Sequence, residues 1–299
     1  MTGILKYVWA IMFAAIALTG CKPPETTDGF PIYLDLSNAK IAYDEAGNVI
    51  RTQGLKDVWI DHNGEDLGVF NLPNVVPVIP DENNRVTISG GIFNNGFSTQ
   101  RAEYPFWAPI TFDIEADPLD TVKVSPTFRY LADTIITFPF SEGFEGAAND
   151  FVNVATGDNT TSIFNYSRDQ FIGNSCGKVD FNSTSYEFEV FSREFLALPQ
   201  SGGNNIYLEF SYKNTIPFTC GIVSVSPNTG EINQIPADVY FLSEGTWNTA
   251  FIHINDAVRA VTQGSIFKIY FEATGKNSST GEVSTGNLLL DNVRIVHYQ

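Results

Sequence analysis

Apolar and polar residues alternate in short stretches along the first half of the chain. Residues 32–36, 86–88 and 111–114 each carry apolar side chains at every second position, which is the period of a strand with one buried face. The dipeptide Asn63-Gly64 separates two further stretches of this kind. It is typical of a tight β-hairpin turn because both residues tolerate positive φ angles.

The second half of the chain continues the same pattern. Alternating stretches cover residues 178–181, 186–191 and 207–212, and only residues 256–263 have a helical pattern. A junction between Tyr130 and Pro139 predicts a domain boundary. The chain is therefore predicted to be all-β, with two β-sandwich domains in series over residues 30–132 and 138–299.

Short motifs in each predicted domain resemble those of known sandwich folds. In the first domain, Asn63-Gly64, Leu67-Gly68 and residues 88–91 resemble immunoglobulin-like, fibronectin-like and PEGA-like domains. The second domain opens with Phe-Glu-Gly at residues 144–146 and closes with Leu-Asp-Asn-Val at residues 290–293. These motifs resemble the ends of jelly-roll domains of the carbohydrate-binding-module and galactose-binding-like kind, which implies that the opening and closing strands pair with each other.

That resemblance also implies a structural Ca²⁺ site. Glu142, Glu145 and Asp291 match the family's calcium carboxylates in position, and Ca²⁺ needs several carboxylate and carbonyl oxygens at one place. The alternative is that these acids cap loops at one end of the sandwich. No other cofactor is expected.

The N-terminus predicts a lipoprotein. Residues 8–18 form an apolar run that is too short to span a bilayer, and residues 18–21 read Leu-Thr-Gly-Cys, which resembles the bacterial lipobox. The resemblance implies a signal peptide over residues 1–20, acyl chains on Cys21 and a tether over residues 21–29.

The net charge and the composition of the tether indicate where the protein is located and which partners it can bind. The formal net charge is −17, which excludes nucleic acid as a partner. The acidic tether resembles the export signal of surface lipoproteins of the Bacteroidota. The chain is therefore expected to be anchored in the outer membrane and to face the cell exterior, with the inner leaflet of that membrane as the alternative.

The most aromatic segment of the chain is Tyr-Pro-Phe-Trp-Ala-Pro at residues 104–109. Its side chains Tyr104, Phe106 and Trp107 are candidates for contact with a partner or a ligand, since aromatic residues are enriched at interface hot spots. The alternative is a proline-shaped crossing that packs into the core of the sandwich.

Two further features are candidates for covalent modification. Cys176 and Cys220 are the thiols that remain after lipidation, and they form either a disulfide bond or two buried free thiols. Asp-Thr-apolar triplets place Thr121 and Thr134 in a context that resembles the O-glycosylation acceptor of the Bacteroidota.

Motifs for catalysis are not found. Residues 173–177 match Gly-x-Ser-x-Gly, but that nucleophile elbow requires a following helix, and a strand is predicted there instead. His62, His253 and His297 have no metal-ligand spacing. A non-catalytic accessory subunit of an outer-membrane barrel complex for import or assembly is therefore expected. The alternative is a glycan-binding surface lipoprotein with Trp107, Trp247 and Tyr186 as sugar platforms, and an enzyme with a concealed site is a third reading.

Overall fold

The computed structural model describes residues 29–43, 50–51, 53–81, 83–154, 157, 159–203 and 205–299. The predicted signal peptide and the predicted lipidation site Cys21 lie outside these residues. Within the described part of the chain, no helix is long and apolar enough to cross a membrane.

The first domain is built from short strands. In chain order they are β1 (Ile32–Asp35), β2 (Lys40–Ala42), β3 (Ile50–Arg51), β4 (Asp57–His62), β5 (Glu65–Asn71), β6 (Val75–Val78), β7 (Arg85–Phe93), β8 (Arg101–Glu103), β9 (Ile110–Asp113), β10 (Thr121–Lys123) and β11 (Thr127–Phe128). One sheet has the order β5-β4-β7-β8, and β9 also pairs with β7. Two three-stranded sheets, β10-β1-β6 and β11-β2-β3, complete the domain.

The hairpin predicted at the centre of this domain is confirmed. Strands β4 and β5 pair antiparallel around Asn63 and Gly64, whose φ angles are +55° and +87°. Two consecutive residues with positive φ are what a type I′ turn requires. Along β4, Val58 and Ile60 are buried while Trp59 and Asp61 face the other side of the sheet, as alternation predicts.

The second domain is a sandwich of two larger sheets. Its elements are β12 (Ile136–Glu142), β13 (Phe151–Asn153), β14 (Phe164–Tyr166), β15 (Cys176–Phe181), β16 (Glu187–Ser192), β17 (Ile206–Asn214), β18 (Phe218–Val225), β19 (Ile232–Pro236), β20 (Asn248–His253), α1 (Asn255–Arg259), β21 (Ile266–Thr274) and β22 (Gly286–Tyr298). One sheet has the order β14-β15-β22-β17-β20, with β12 also paired to β22, and the other has the order β13-β16-β21-β18-β19.

Pairing between β12 and β22 joins the opening strand of the second domain to its closing strand, as the jelly-roll resemblance implies. The space between the two sheets is filled by a phenylalanine-rich core that includes Phe210, Phe218 and Phe271. The prediction of an all-β chain with β-sandwich domains is confirmed.

A second core joins the two domains. Strand β17 is buried on both sides: Leu208 and Phe210 face the core of its own sandwich, whereas Tyr207 faces the first domain. Phe251 and Val296, from the neighbouring strands β20 and β22, belong to the same interdomain core as Tyr207. The outer face of the six-stranded sheet is therefore covered by the first domain.

The aromatic segment at residues 104–109 supplies that cover. The ring of Tyr104 lies 5.2 Å from that of Tyr207 and 4.8 Å from that of Phe251, and the ring of Phe106 lies 5.0 Å from that of Tyr298. The side chains of Tyr104, Phe106 and Trp107 are at most 4% exposed. The prediction that they contact a partner or a ligand is wrong, because the apolar outer face of the second domain buries them.

Candidate functional site

A cleft of about 810 Å³ lies at the junction of the two domains. Ligand sites occur preferentially at such domain interfaces. The cleft combines aromatic, apolar and polar side chains, and its lining consists of Tyr43, Arg129, Tyr130, Leu131, Ala132, Asp133, Phe138, Ser141, Ile172, Asn292 and Arg294. We call it the interdomain cleft.

One residue of the cleft lining, Arg294, belongs to a buried ion pair with Glu209. Arg294 Nε lies 3.2 Å from Glu209 Oε2, and neither side chain is more than 9% exposed. Tyr130 donates its hydroxyl to Glu209 Oε2 at 2.7 Å, and Tyr104 donates to Glu209 Oε1. Arg294 Nη2 in turn donates to the Tyr130 hydroxyl at 3.0 Å. Both oxygens of Glu209 are thus satisfied within the protein, as a buried carboxylate requires.

Electrostatics inside this network favour the charged arginine. Burial alone lowers the pKa of Arg294, but the surrounding Tyr130 and Glu209 outweigh it and hold that pKa above its ordinary value. Burial, followed by the nearby charge of Glu209, raises the pKa of Tyr104 well above 10. Tyr104 and Tyr130 therefore stay protonated and keep donating to Glu209.

Aromatic rings surround the guanidinium group. The Arg294 Cζ atom lies 4.7 Å from the ring centre of Tyr130, 5.3 Å from that of Phe138 and 5.9 Å from that of Tyr43. The rings of Tyr130 and Phe138 meet edge to face at 5.5 Å. These cation–π and aromatic contacts fix the rings in place, so the wall of the cleft is formed before any ligand arrives.

A β-bulge places one amide in the cleft. Glu209 pairs with Arg294 and Ser211 pairs with Asp291, so β22 has one more residue than β17 between these pairs. Asn292 lies within this bulge with φ +51°, and asparagine tolerates that left-handed conformation better than most residues. Its Nδ2 atom is buried and has no hydrogen-bond partner among the described residues. Bulges commonly redirect side chains beside functional sites.

The segment 167–175, which we call the strap, closes one side of the cleft through Ile172. Asp291 Oδ2 accepts hydrogen bonds from the backbone N–H groups of Phe171 and Ile172, both at 2.8 Å. Burial raises the pKa of Asp291 to about 7, although these hydrogen bonds act in the opposite direction. The indole of Trp247, predicted as a sugar platform, donates to the strap carbonyl of Asp169 at 3.1 Å.

The predicted calcium carboxylates do not form a metal site. Glu142 accepts the backbone N–H groups of Phe144 and Asp150, and Glu145 accepts those of Asn174 and Ser175. Asp291 accepts hydrogen bonds from two backbone N–H groups of the strap. Across the described ranges, no group of three or more His, Cys, Asp or Glu side chains is arranged to hold a metal ion. The carboxylates cap loops instead, which is the alternative that the sequence left open.

Cys176 and Cys220 are both buried and free. Of the two alternatives that the sequence left open, the structure therefore has the pair of free thiols. They lie in different sheets of the second sandwich: Cys220, on β18, points into the core between the sheets, whereas Cys176, on β15, does not contribute to that core. Because the two side chains do not share that space, they are not placed to form a disulfide bond.

The Gly-x-Ser-x-Gly match at residues 173–177 does not form a nucleophile elbow. The Ser175 hydroxyl donates to the carbonyl oxygen of Phe144 at 2.8 Å, and strand β15 follows it directly, so the geometry is not that of a nucleophile elbow. Burial raises the pKa of the Cys176 thiol to about 12, which keeps it protonated and unreactive at neutral pH.

Other predicted site residues lie away from the interdomain cleft. Tyr186 accepts a hydrogen bond from Asn159 at 2.8 Å, and the Lys276 ammonium lies 5.4 Å from its ring centre, so its ring is partly occupied. Thr121 and Thr134 are exposed, and their O-glycosylation stays a prediction.

A second, polar cleft of about 850 Å³ lies beside the β4–β5 hairpin. Its side chains are used to hold loops: Asp61 accepts the N–H of Gly64 at 2.9 Å, and Asn63 accepts that of Arg85 at 3.0 Å. No aromatic side chain lines it among the described residues. The interdomain cleft is therefore the better candidate for a binding site.

The residues around the interdomain cleft were not predicted from the sequence, although the sequence contains a pattern that indicates the buried ion pair. Glu209 lies between Leu208 and Phe210, and Arg294 lies between Val293 and Ile295. A single charge inside an apolar strand indicates a buried, paired charge, since such residues are almost never fully buried alone.

No protein-family model matches the chain, and no curated protein matches it. Among solved structures, the CBM22-1 xylan-binding domain of Xyn10C from Paenibacillus barcinonensis is 11% identical, with a TM-score of 0.39 over 56% of this chain and 99% of that domain. A structure of carbohydrate-binding modules from the β-sandwich superfamily is 11% identical, with a TM-score of 0.39 over 82% of this chain and 86% of that chain. The family 11 carbohydrate-binding module of Clostridium thermocellum is 14% identical, with a TM-score of 0.35 over 55% of this chain and 96% of the module. These TM-scores are too low to support an argument about function, and the architecture rests on the strand pairing described above.

Proposed function

We propose that this chain is a non-catalytic glycan-binding protein whose ligand occupies the interdomain cleft. The observation that carries the proposal is the combination, in one preformed cleft, of the aromatic side chains of Tyr130 and Phe138 with the polar side chains of Arg129, Ser141 and Asn292. Sugars present apolar C–H faces that pack on aromatic rings and hydroxyl groups that need directed hydrogen bonds. Pockets that combine apolar walls with a few fixed polar groups are typical ligand sites.

The side chains in and around the cleft fit a protein that binds its ligand without catalysing a reaction. Glu209 is committed to Arg294 and to two tyrosine hydroxyls, so it is not available as a general base. The carboxylate that does line the cleft, Asp133, is exposed. A glycosidase needs a second carboxyl group at a defined separation, and Asp133 has no such partner in the cleft lining.

The lipid anchor at Cys21 and the position on the cell exterior belong to the same proposal. An anchored glycan-binding protein would hold its ligand close to the outer membrane. The other expectation, an accessory subunit of an outer-membrane barrel complex, relied on Tyr104, Phe106 and Trp107 as contact residues. Since these side chains are buried between the domains, glycan binding is the better supported function.

The test is electrophoresis of the mature protein through gels that contain individual plant, microbial and host polysaccharides, followed by calorimetry with oligosaccharides of any glycan that retards it. Phe138→Ala should weaken binding about ten-fold or more, because it removes one aromatic wall of the cleft. Phe164→Ala is the matched control, since Phe164 is 43% exposed on strand β14 and lies outside the cleft.

Three outcomes would contradict the proposal. The first is that no polysaccharide retards the protein, and the second is that both phenylalanine variants bind as the wild type does. The third is isolation of a stable complex with an outer-membrane barrel protein from mild detergent without any glycan binding, which would favour the accessory-subunit function instead.

A further inference from the structure

We propose that the interdomain cleft selects glycans that carry a carboxylate, such as a uronic acid residue, and that Arg129 binds this group. The inference rests on the proposed glycan-binding function and names the class of sugar. It follows from the free guanidinium group of Arg129 in the lining of the cleft.

The lining of the cleft contains one free guanidinium group. Arg129 is exposed and lines the cleft, and its side chain has no hydrogen bond or ion pair with any described residue. Its guanidinium group therefore offers all five of its N–H donors in a planar fork.

Two side-chain acceptors in the lining are free as well. The carboxylate of Asp133 and the hydroxyl of Ser141 lie at the exposed edge of the cleft. The Arg129 guanidinium group requires acceptors from the ligand, and a carboxylate is the sugar substituent that pairs with a guanidinium group in a bidentate manner.

Net charge limits how acidic the glycan can be. A chain with a formal charge of −17 repels a densely charged polyanion before it reaches the cleft. Asp133 adds a local negative charge beside Arg129 in the lining. The ligand that fits is therefore a mainly neutral glycan with isolated carboxylates, of which one pairs with Arg129 while its neighbouring neutral sugars pack on Phe138.

The experiment is an array in which oligosaccharides that contain uronic acid are printed beside their carboxyl-reduced forms. The pairs differ only in the carboxylate, which is replaced by a CH₂OH group. The wild-type mature protein should bind the acidic form about ten-fold or more tightly than its reduced partner, which is the range of a charge-assisted bidentate contact.

Substitutions of Arg129 test whether this residue causes the preference for the acidic form. Arg129→Gln should lower the ratio between binding of the acidic form and binding of its reduced partner to about one. Arg129→Lys should restore part of the preference, since it keeps the charge but loses the planar fork. Arg85→Gln is the matched control, because it makes the same change of net charge in the polar cleft beside the β4–β5 hairpin.

The outcomes separate the two proposals. Equal binding of the acidic and reduced forms, together with a loss of both in Phe138→Ala, would overturn carboxylate selection but support glycan binding. A preference that survives in Arg129→Gln would overturn the role of Arg129. An absence of binding to every glycan on the array would overturn both proposals.

Discussion

Glu209 and Arg294 form a buried ion pair on adjacent strands of the second domain, and the first domain completes it. The two residues are directly paired in the β17–β22 ladder, with Arg294 Nε 3.2 Å from Glu209 Oε2. Tyr104 and Tyr130, which belong to the first domain, donate their hydroxyl groups to the same carboxylate. This network links the two sandwiches through charge-assisted hydrogen bonds in a region from which water is excluded.

The first prediction concerns the loss of one partner of this pair. Arg294→Met should lower the free energy of unfolding by about 3–5 kcal/mol, because it leaves the Glu209 charge buried without a counter-charge. Urea unfolding monitored by tryptophan fluorescence measures this change. The double variant Glu209→Met, Arg294→Met should be less destabilised than the sum of the two single variants, since it removes both charges. Additive losses would show that the two residues do not interact.

The second prediction tests the buried role of the aromatic segment at residues 104–109. Trp107 is 4% exposed and packs on Phe128 and Phe251. Trp107→Ala should therefore lower the free energy of unfolding by about 3–5 kcal/mol, the range for a large aromatic side chain removed from a core. Phe97→Ala is the control, since Phe97 is 40% exposed, and its effect should stay within about 0.5 kcal/mol. Equal stability of both variants would show that Trp107 is not part of a core.

The β4–β5 hairpin could be predicted from the sequence, whereas the buried position of Trp107 could not. The hairpin follows from local chemistry, because Asn63-Gly64 and the alternation around it specify turn and strands without reference to the rest of the chain. The pairing of β12 with β22 could be predicted from the motifs at its two ends. The buried positions of Tyr104, Phe106 and Trp107 could not be predicted, since a proline-flanked aromatic segment has the same sequence pattern in an exposed loop and in a core.

The interdomain cleft could not be predicted from the sequence for a similar reason. The interdomain cleft exists only because the two domains pack against each other, and Arg129 and Asn292 approach it from distant parts of the sequence. The bulge at Asn292 depends on the register between β17 and β22, which no short motif encodes. Carboxylates such as Glu142 read as calcium ligands because a loop cap and a metal ligand require the same residue type.

The third prediction is that the second domain is destabilised when it is separated from the first. A fragment of residues 133–299 keeps β12 through β22 but uncovers Tyr207, Phe251 and Val296, which are at most 4% exposed in the whole chain. It should unfold at a lower urea concentration than the whole chain and bind a hydrophobic dye, because a large apolar face becomes exposed. Tyr207→Ser and Phe251→Ser in the fragment should reduce dye binding. A fragment as stable as the whole chain, with no dye binding, would show that the domains are independent.

The fourth prediction concerns the expected lipid anchor. Cys21→Ser should leave the protein either unprocessed or in the soluble fraction, because the hydroxyl group cannot carry the thioether-linked lipid. Each buried CH₂ of an acyl chain contributes about 0.8 kcal/mol to membrane binding, so the loss should be nearly complete. Membrane fractionation and labelling with radioactive palmitate measure it, with Cys176→Ser as the control. Normal membrane retention of the Cys21 variant would contradict the lipobox assignment.

The last prediction links Asp291 to the pH dependence of stability. Burial raises the pKa of Asp291 in the folded protein to about 7, compared with about 3.9 in an unfolded chain. Between these values the folded state binds more protons than the unfolded state, so this group makes the protein less stable as the pH rises from about 4 to about 7. The loss attributable to Asp291 over this range is roughly 3–4 kcal/mol.

Asp291→Asn isolates this contribution. The asparagine oxygen can still accept the N–H groups of Phe171 and Ile172, but it carries no charge at any pH. Urea unfolding between pH 4.5 and 8 should therefore give a flatter profile for the variant, which becomes more stable than the wild type towards the alkaline end. Burial also raises the pKa of Glu142, which both proteins contain, so the difference between the two profiles reports Asp291 together with its coulombic coupling to Glu145. Parallel profiles would show that Asp291 has an ordinary pKa and that the strap is not held over a desolvated carboxylate.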